Sequence, residues 1–335
     1  MQRRTLLLGV AAAALGASAC TTRGTAPTAA PGGTAAPTAG AATSAAAASG
    51  YPTKDITLIV QAAAGGGSDL SSRALASAME PIIGKSIIVE NRPGAAGSTA
   101  MLHVKSQPAD GYTIGFGPVE IAMLGSLNYD IKPADFDLLG QIMLGPGVLS
   151  VPPNSPYNSL QEFVDAAKER EMTVSNSGPG SIWEVLGSAI AAETDAKIRP
   201  VPFDGGAPAV AAVMGGQVDA AGSGVNEVKQ NLADGKLKVL ALFHSERHPE
   251  LPDVPTAKEQ GLDIEIGGWG GIYAPKGLPA DVKATLEDAI KQAVESDSYR
   301  DIITKSGNLV VYKNSADFEA FAQSEFDRFA ELLNP

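Results

Sequence analysis

One cysteine, Cys20, serves the whole chain. It precedes the part able to fold, so that part holds no disulfide and no cysteine-ligated metal. Histidine is almost as scarce. His103, His244 and His248 are the only three, and none neighbours a glycine-rich loop. They assemble neither a metal cluster nor a base for a nucleophile, and each reads as a solvated or packing residue. No Gly-x-x-x-x-Gly-Lys-Ser/Thr phosphate loop and no Gly-x-Ser-x-Gly elbow is present, and the stretch Gly115 to Glu120 opens like a dinucleotide fingerprint without its third glycine. The chain therefore reads as a non-enzyme with no cofactor. Positive charge is short too: Lys and Arg number 25 against 37 Asp and Glu, for a net charge of −12. Arg3, Arg4 and Arg23 precede Tyr51 while every acid follows it, so the folded part is more acidic still. That surface excludes nucleic acid as a partner, and an anionic ligand needs locally aimed donors.

What is there begins with a leader. Arg3 and Arg4 precede a short leucine and alanine run that ends in small residues before Cys20. This is a secretory signal over residues 1–20, too short to span a membrane. The paired arginines suit twin-arginine export, and a Sec signal reads much the same. Cys20 after small residues points to a lipoprotein anchored on the outer face of the cytoplasmic membrane; ordinary secretion with cleavage near Ala19 is the other reading. Residues 21–50 are almost all Ala, Thr, Pro, Gly and Ser and read as a flexible tether.

From Tyr51 onward apolar runs alternate with amphipathic ones, which predicts α/β architecture with mainly parallel sheets. Strands are expected at 56–60, 86–90, 112–116, 147–151 and 237–242. Helices are expected at 160–169, 182–192, 281–294 and 316–333, the last packing Phe318, Phe321, Phe326 and Phe329 into the core. Between the first strand and a helix lies Ala62-Ala63-Ala64-Gly65-Gly66-Gly67-Ser68-Asp69, with Ser68 or Asp69 as the expected N-cap. A helix N-terminus carries unpaired N–H groups and partial positive charge, and bare glycines admit a ligand to them. Such a loop serves an anion or simply turns the chain. The arrangement recurs as Asn176-Ser177-Gly178-Pro179-Gly180-Ser181 before Ile182, where Ser181 and Glu184 have capping-box spacing. Two such helix starts are able to face one ligand. A third candidate runs from Val201 to Pro208. Arg92 and Trp269 each read either as ligand contacts or as structural residues.

The succession Ile56 to Asp69, Val89-Glu90-Asn91-Arg92-Pro93-Gly94, Asp110-Gly111-Tyr112-Thr113, Val201-Pro202-Phe203, Gly215 to Asp219 and Leu251 to Thr256 resembles the extracytoplasmic solute receptors of tripartite tricarboxylate transporters, the Bug family. The resemblance implies a type II periplasmic-binding-protein-like α/β fold. Two α/β domains, 51–149 plus 270–335 and 150–269, are joined by a hinge with crossings near Leu149-Ser150 and Gly267-Trp269. It implies a small organic acid held in the cleft and delivered to membrane permease subunits. The carboxylate contacts fall on Ala64, Gly65, Gly66, Gly67, Ser68 and Asp69, and on Asn176, Ser177, Gly178, Gly180 and Ser181. Phe203, Gly205, Gly206, Gly117, Pro118 and Val119 line the walls. The chain departs from the family pattern at Gln61-Ala62, usually Pro-Phe, at Glu184, often histidine, and at Ser223-Gly224, often Asp-Asn. Glu184 reads as a capping residue or a ligand contact. An anchored envelope sensor or partner-binding protein that kept the fold but lost transport is the alternative function.

Overall fold

A computed structural model describes residues 50–333; the leader, Cys20 and the tether up to Ser49 lie outside them. The first half runs β1 (Ile56–Val60), α1 (Gly67–Ile83), β2 (Ile87–Asn91), α2 (Ser98–Lys105), β3 (Thr113–Pro118) and β4 (Phe136–Val151). Next come α3 (Leu160–Glu169), β5 (Met172–Asn176), α4 (Ile182–Thr194), β6 (Ile198–Pro202), α5 (Gly206–Met214), β7 (Ala220–Gly224), α6 (Val225–Ala233) and β8 (Lys238–Phe243). The chain closes with β9 (Gly267–Pro275), α7 (Ala280–Glu295), α8 (Asp297–Ser306), β10 (Leu309–Asn314) and α9 (Ser315–Leu333).

β1 is apolar and β-branched because it is central. Leu58 sits beside Val89 of β2 on one side and Ile114 of β3 on the other, in parallel register. β9 and β4 then continue this sheet antiparallel, and β10 adds to β4. A second sheet places β5 between β6 and β7, all parallel, with β7 and β8 antiparallel to the far end of β4. The expectation of mainly parallel sheets is therefore corrected. The parallel βαβ units lie at the outer parts of each sheet, while the long strands β4 and β9 run against them.

β4 joins the two sheets. As far as Pro146 it pairs with β9, and from Gly147 it lies between β7 and β8. Pro146 has no N–H to give a ladder, and it stands where the partners change. A Cβ at Gly147 would stand 2.6 Å from the Ile266 carbonyl oxygen, so the backbone crosses there only because that residue is glycine. Almost every residue of β4 is buried.

The closing helix packs as expected. Phe318 and Phe329 are buried, Phe321 and Phe326 are partly buried against the same core, and the Trp269 ring stands edge-on to Phe318 and Phe321. Among the described residues, no helix is long and apolar enough to cross a membrane.

Candidate functional site

The first glycine loop starts α1 two or three residues earlier than expected. Gly66 is the N-cap, in extended conformation and with no side-chain cap, so Ser68 and Asp69 lie inside the first turn. The reason is Asp69, which reaches backward instead of capping forward. Its buried carboxylate accepts from the Gly65 N–H at 2.9 Å, Arg73 Nε at 3.0 Å and Asn91 Nδ2 at 2.8 Å. Burial pushes this carboxyl up, but the bonds from Arg73, Gly65 and Asn91 outweigh burial and hold it below the usual carboxylate range. Gly65 has φ +86°, which glycine alone adopts without strain. Ser68 Oγ accepts from Gln61 Nε2 at 2.8 Å, which leaves its own proton to give.

The second loop is more self-contained. Asn176 Oδ1 accepts from the Gly178 N–H at 2.9 Å. Ser181 is the N-cap of α4, its Oγ accepting from the Glu184 N–H at 3.3 Å, and Glu184 Oε2 accepts from the Gly180 N–H at 2.7 Å. The capping reading of Glu184 thus holds, shifted by one residue. The Ile182 N–H is taken by the carboxyl of Glu120. At least three donors at this helix start are spent within the chain.

A cavity of about 170 Å³ opens between these helix starts. Gly67 and Ser68 of α1 line it, and so do Pro118, the last residue of β3, and Val119 and Glu120 after it. Ile182 and Trp183 of α4, Asn226 and Glu227 of α6, Trp269 of β9 and Asn308 line it as well. Of the residues anticipated for the ligand, Gly67, Ser68, Pro118 and Val119 are brought together here. Ala64, Gly65, Gly66 and Asp69 shape the loop behind them. Gly117 lies under the Tyr273 ring. Asn176 lines a separate cavity of about 180 Å³ alongside α4, with Trp183 and Glu184. Ser177, Gly178, Gly180 and Ser181 border neither cavity. Phe203 packs at the edge of the core, Gly205 caps α5 with φ +112°, and Gly206 lies against the Glu227 carboxylate. Trp269 does both of the things weighed for it: it lines the cavity, and its Nε1 donates to Glu325 Oε2 at 3.1 Å. Arg92 pairs with Glu90 and lines neither cavity.

Sequence reasoning missed Glu120, Asn226, Glu227 and Asn308. Burial pushes the Glu120 carboxyl up to about 6, with its own N–H and that of Ile182 pulling only partly the other way. Burial likewise raises Glu227, against one bond from the Gly224 N–H at 3.0 Å. One signal was legible: Glu227 stands three residues after Gly224, at capping spacing. Among the described residues no cluster of His, Cys, Asp or Glu is arranged to hold a metal ion.

The family model described as "Tripartite tricarboxylate transporter family receptor" matches residues 71–334. A TctC solute-binding protein from Polaromonas, solved with no ligand, is 31% identical, with a TM-score of 0.73 over 85% of this chain and 99% of that one. Protein BugT of Bordetella pertussis is 28% identical over 84% of this chain and 89% of its own length. MatC from Rhodopseudomonas palustris, solved with bound malate, is 28% identical, with a TM-score of 0.75 over 85% of this chain and all of the other.

Proposed function

The chain belongs to the tripartite tricarboxylate transporter receptor family, and we propose that it captures a small carboxylate and hands it to the membrane permease subunits of such a transporter. The observation that carries this reading is the uncapped start of α1, whose Gly67 and Ser68 line the cavity. Backbone N–H groups there and the Ser68 hydroxyl supply charge-assisted hydrogen bonds to one carboxylate, in a protein whose overall charge repels it. The malate bound to MatC supports the class of ligand. In this reading residues 51–149 with 270–335 and residues 150–269 are the two lobes, and they close over the ligand. Cys20 carries the lipid, and the tether 21–50 keeps the receptor at the outer face of the cytoplasmic membrane.

A thermal-shift screen over mono-, di- and tricarboxylates, aromatic acids and amino acids tests this. A cognate acid at 100 times its Kd stabilises by about 2.7 kcal/mol, and X-ray scattering then records a smaller radius of gyration. No stabilisation by any acid refutes the receptor reading and favours the envelope sensor.

A further inference from the structure

Trp269 is the first side chain of β9, because Gly267 and Gly268 before it carry none. Opposite Gly267 stands Pro146, which has no N–H to give. The strand thus enters the cavity wall with little of its own to fix the indole. Helix α9 supplies the hold at two points. Trp269 Nε1 donates to Glu325 Oε2 at 3.1 Å, and Arg328 Nη1 donates to the Glu265 carbonyl at 3.2 Å, on the far side of the glycines. Arg328 also grips both oxygens of Glu325, Nε on Oε1 at 2.8 Å and Nη2 on Oε2 at 2.9 Å. The Glu325 side chain is only 13% exposed, so this is not a loose surface pair. A guanidinium fork on a largely buried carboxylate fixes the direction from which its oxygen meets the indole.

We infer, on the footing of the receptor reading above, that Glu325 is a positioning residue for ligand capture. It holds the Trp269 indole in the cavity wall from a helix that lends the wall no residue of its own: among the described residues lining the cavity, none belongs to α9. With its single donor spent on Glu325, Trp269 offers the cavity packing surface alone. Where that surface lies depends on the carboxylate behind it. The indole stands among Phe318 and Phe321, which accept nothing from an N–H. Without Glu325 the buried donor has no partner, so the ring turns or admits water, and the wall changes shape. In the lobe division given above, Glu265 belongs to the second lobe and α9 to the first. The Arg328 bond therefore spans the hinge, and the same clamp that sets the indole is fastened across the junction.

The chain has two tryptophans, so a nitrogen-15 spectrum of the ligand-free protein shows two indole N–H signals, which Trp183→Phe assigns. In Glu325→Ala the Trp269 signal shifts and its exchange with deuterium quickens about tenfold or more; Glu325→Gln, which keeps an acceptor, restores most of the protection. Where Glu325→Ala does not fold, Arg328→Met, which unclamps the carboxylate, is read in its place. Calorimetry with malate, benzoate and L-alanine then reads the cavity. Whichever of them binds the parent protein binds Glu325→Ala about five- to tenfold more weakly, the order of one hydrogen bond, and Glu325→Gln recovers most of that loss. Adding Glu325→Ala to Trp269→Phe, whose ring has no N–H, costs no further affinity. A purely structural role lowers Tm and moves none of these readings. An unmoved Trp269 signal, undiminished affinity in Glu325→Ala, or losses that add in the double variant overturns the inference and leaves the receptor reading standing. Binding of none of these three, nor of any acid in the screen above, overturns the receptor reading, and the exchange rates alone then decide whether Glu325 positions the indole.

Discussion

Replacing Glu120 by Gln in the ligand-free protein sets two opposing effects against each other. The partial positive charge at the start of α4 and the Ile182 N–H favour a charged Glu120, while burial disfavours it. The carboxyl is raised from 4.5 to about 6, so burial wins. A raised acid binds more protons when folded than when unfolded across that interval. Stability therefore falls as pH climbs from about 4.5 to 6 and stays lower above it. One and a half pKa units correspond to about 2 kcal/mol, an upper value because Glu120 lines the cavity. Glutamine keeps an acceptor for Ile182 and sheds the charge, so E120Q gains about 1–2 kcal/mol at pH 7.5, a rise of roughly 2–5 °C in Tm. At pH 4.5 and below the two proteins converge. Paired thermal melts at pH 7.5 and pH 4.5 read this directly. Equal stability at both values, or a less stable variant at pH 7.5, refutes the claim that burial outweighs the helix terminus.

Two further substitutions probe the same architecture. Gly67→Ala gains up to about 0.5 kcal/mol from helix propensity, yet its methyl stands 3.2 Å from Asn226 Nδ2 at the cavity wall; melts unchanged or raised together with affinity reduced about tenfold are expected, and undiminished affinity counts against the α1 subsite. Tyr273→Phe removes a fully buried hydroxyl that has no hydrogen-bond partner and so stabilises by about 1 kcal/mol; a fall in the urea midpoint would mean that the hydroxyl is satisfied after all.

Local signals made much of the fold legible. The bounds of β1 and α3 and the Ser181 N-cap follow from patterning and cap chemistry over a few residues. The strands that were not anticipated are those whose composition serves distant neighbours. β9 carries four glycines, which ordinarily weaken a strand. Here a Cβ at Gly270 would meet the Phe116 ring at 2.2 Å, and one at Gly271 would meet Phe318 at 2.5 Å, so the glycines make room for aromatic rings. The first part of β4, with Gln141 and Gly145-Pro146-Gly147, reads as a break until its partners on both sides are known. The same holds for the cavity. Gly67 and Ser68 were legible as a helix start, whereas Glu120, Glu227 and Asn308 come to line one cavity only because three distant segments converge. Ser68 and Asp69 were misjudged as caps because Asp69 has a better set of donors behind it.

β4 also sets the order in which the protein is able to form during synthesis. Its first half pairs with β9 and β10, Leu144 lying opposite both Trp269 and Leu309. A ribosome that has released β1 through β4 has therefore supplied the central strand of a sheet without either neighbour. Both partners of that half arrive only with the last quarter of the chain. Such long-range pairing carries a large loop-closure cost and slows folding. The first sheet of the nascent protein thus stays open at β4 until β9 and β10 have been made. A C-terminal truncation before Leu309 leaves the buried edge of β4 unpaired, an invitation to aggregation rather than a smaller working receptor.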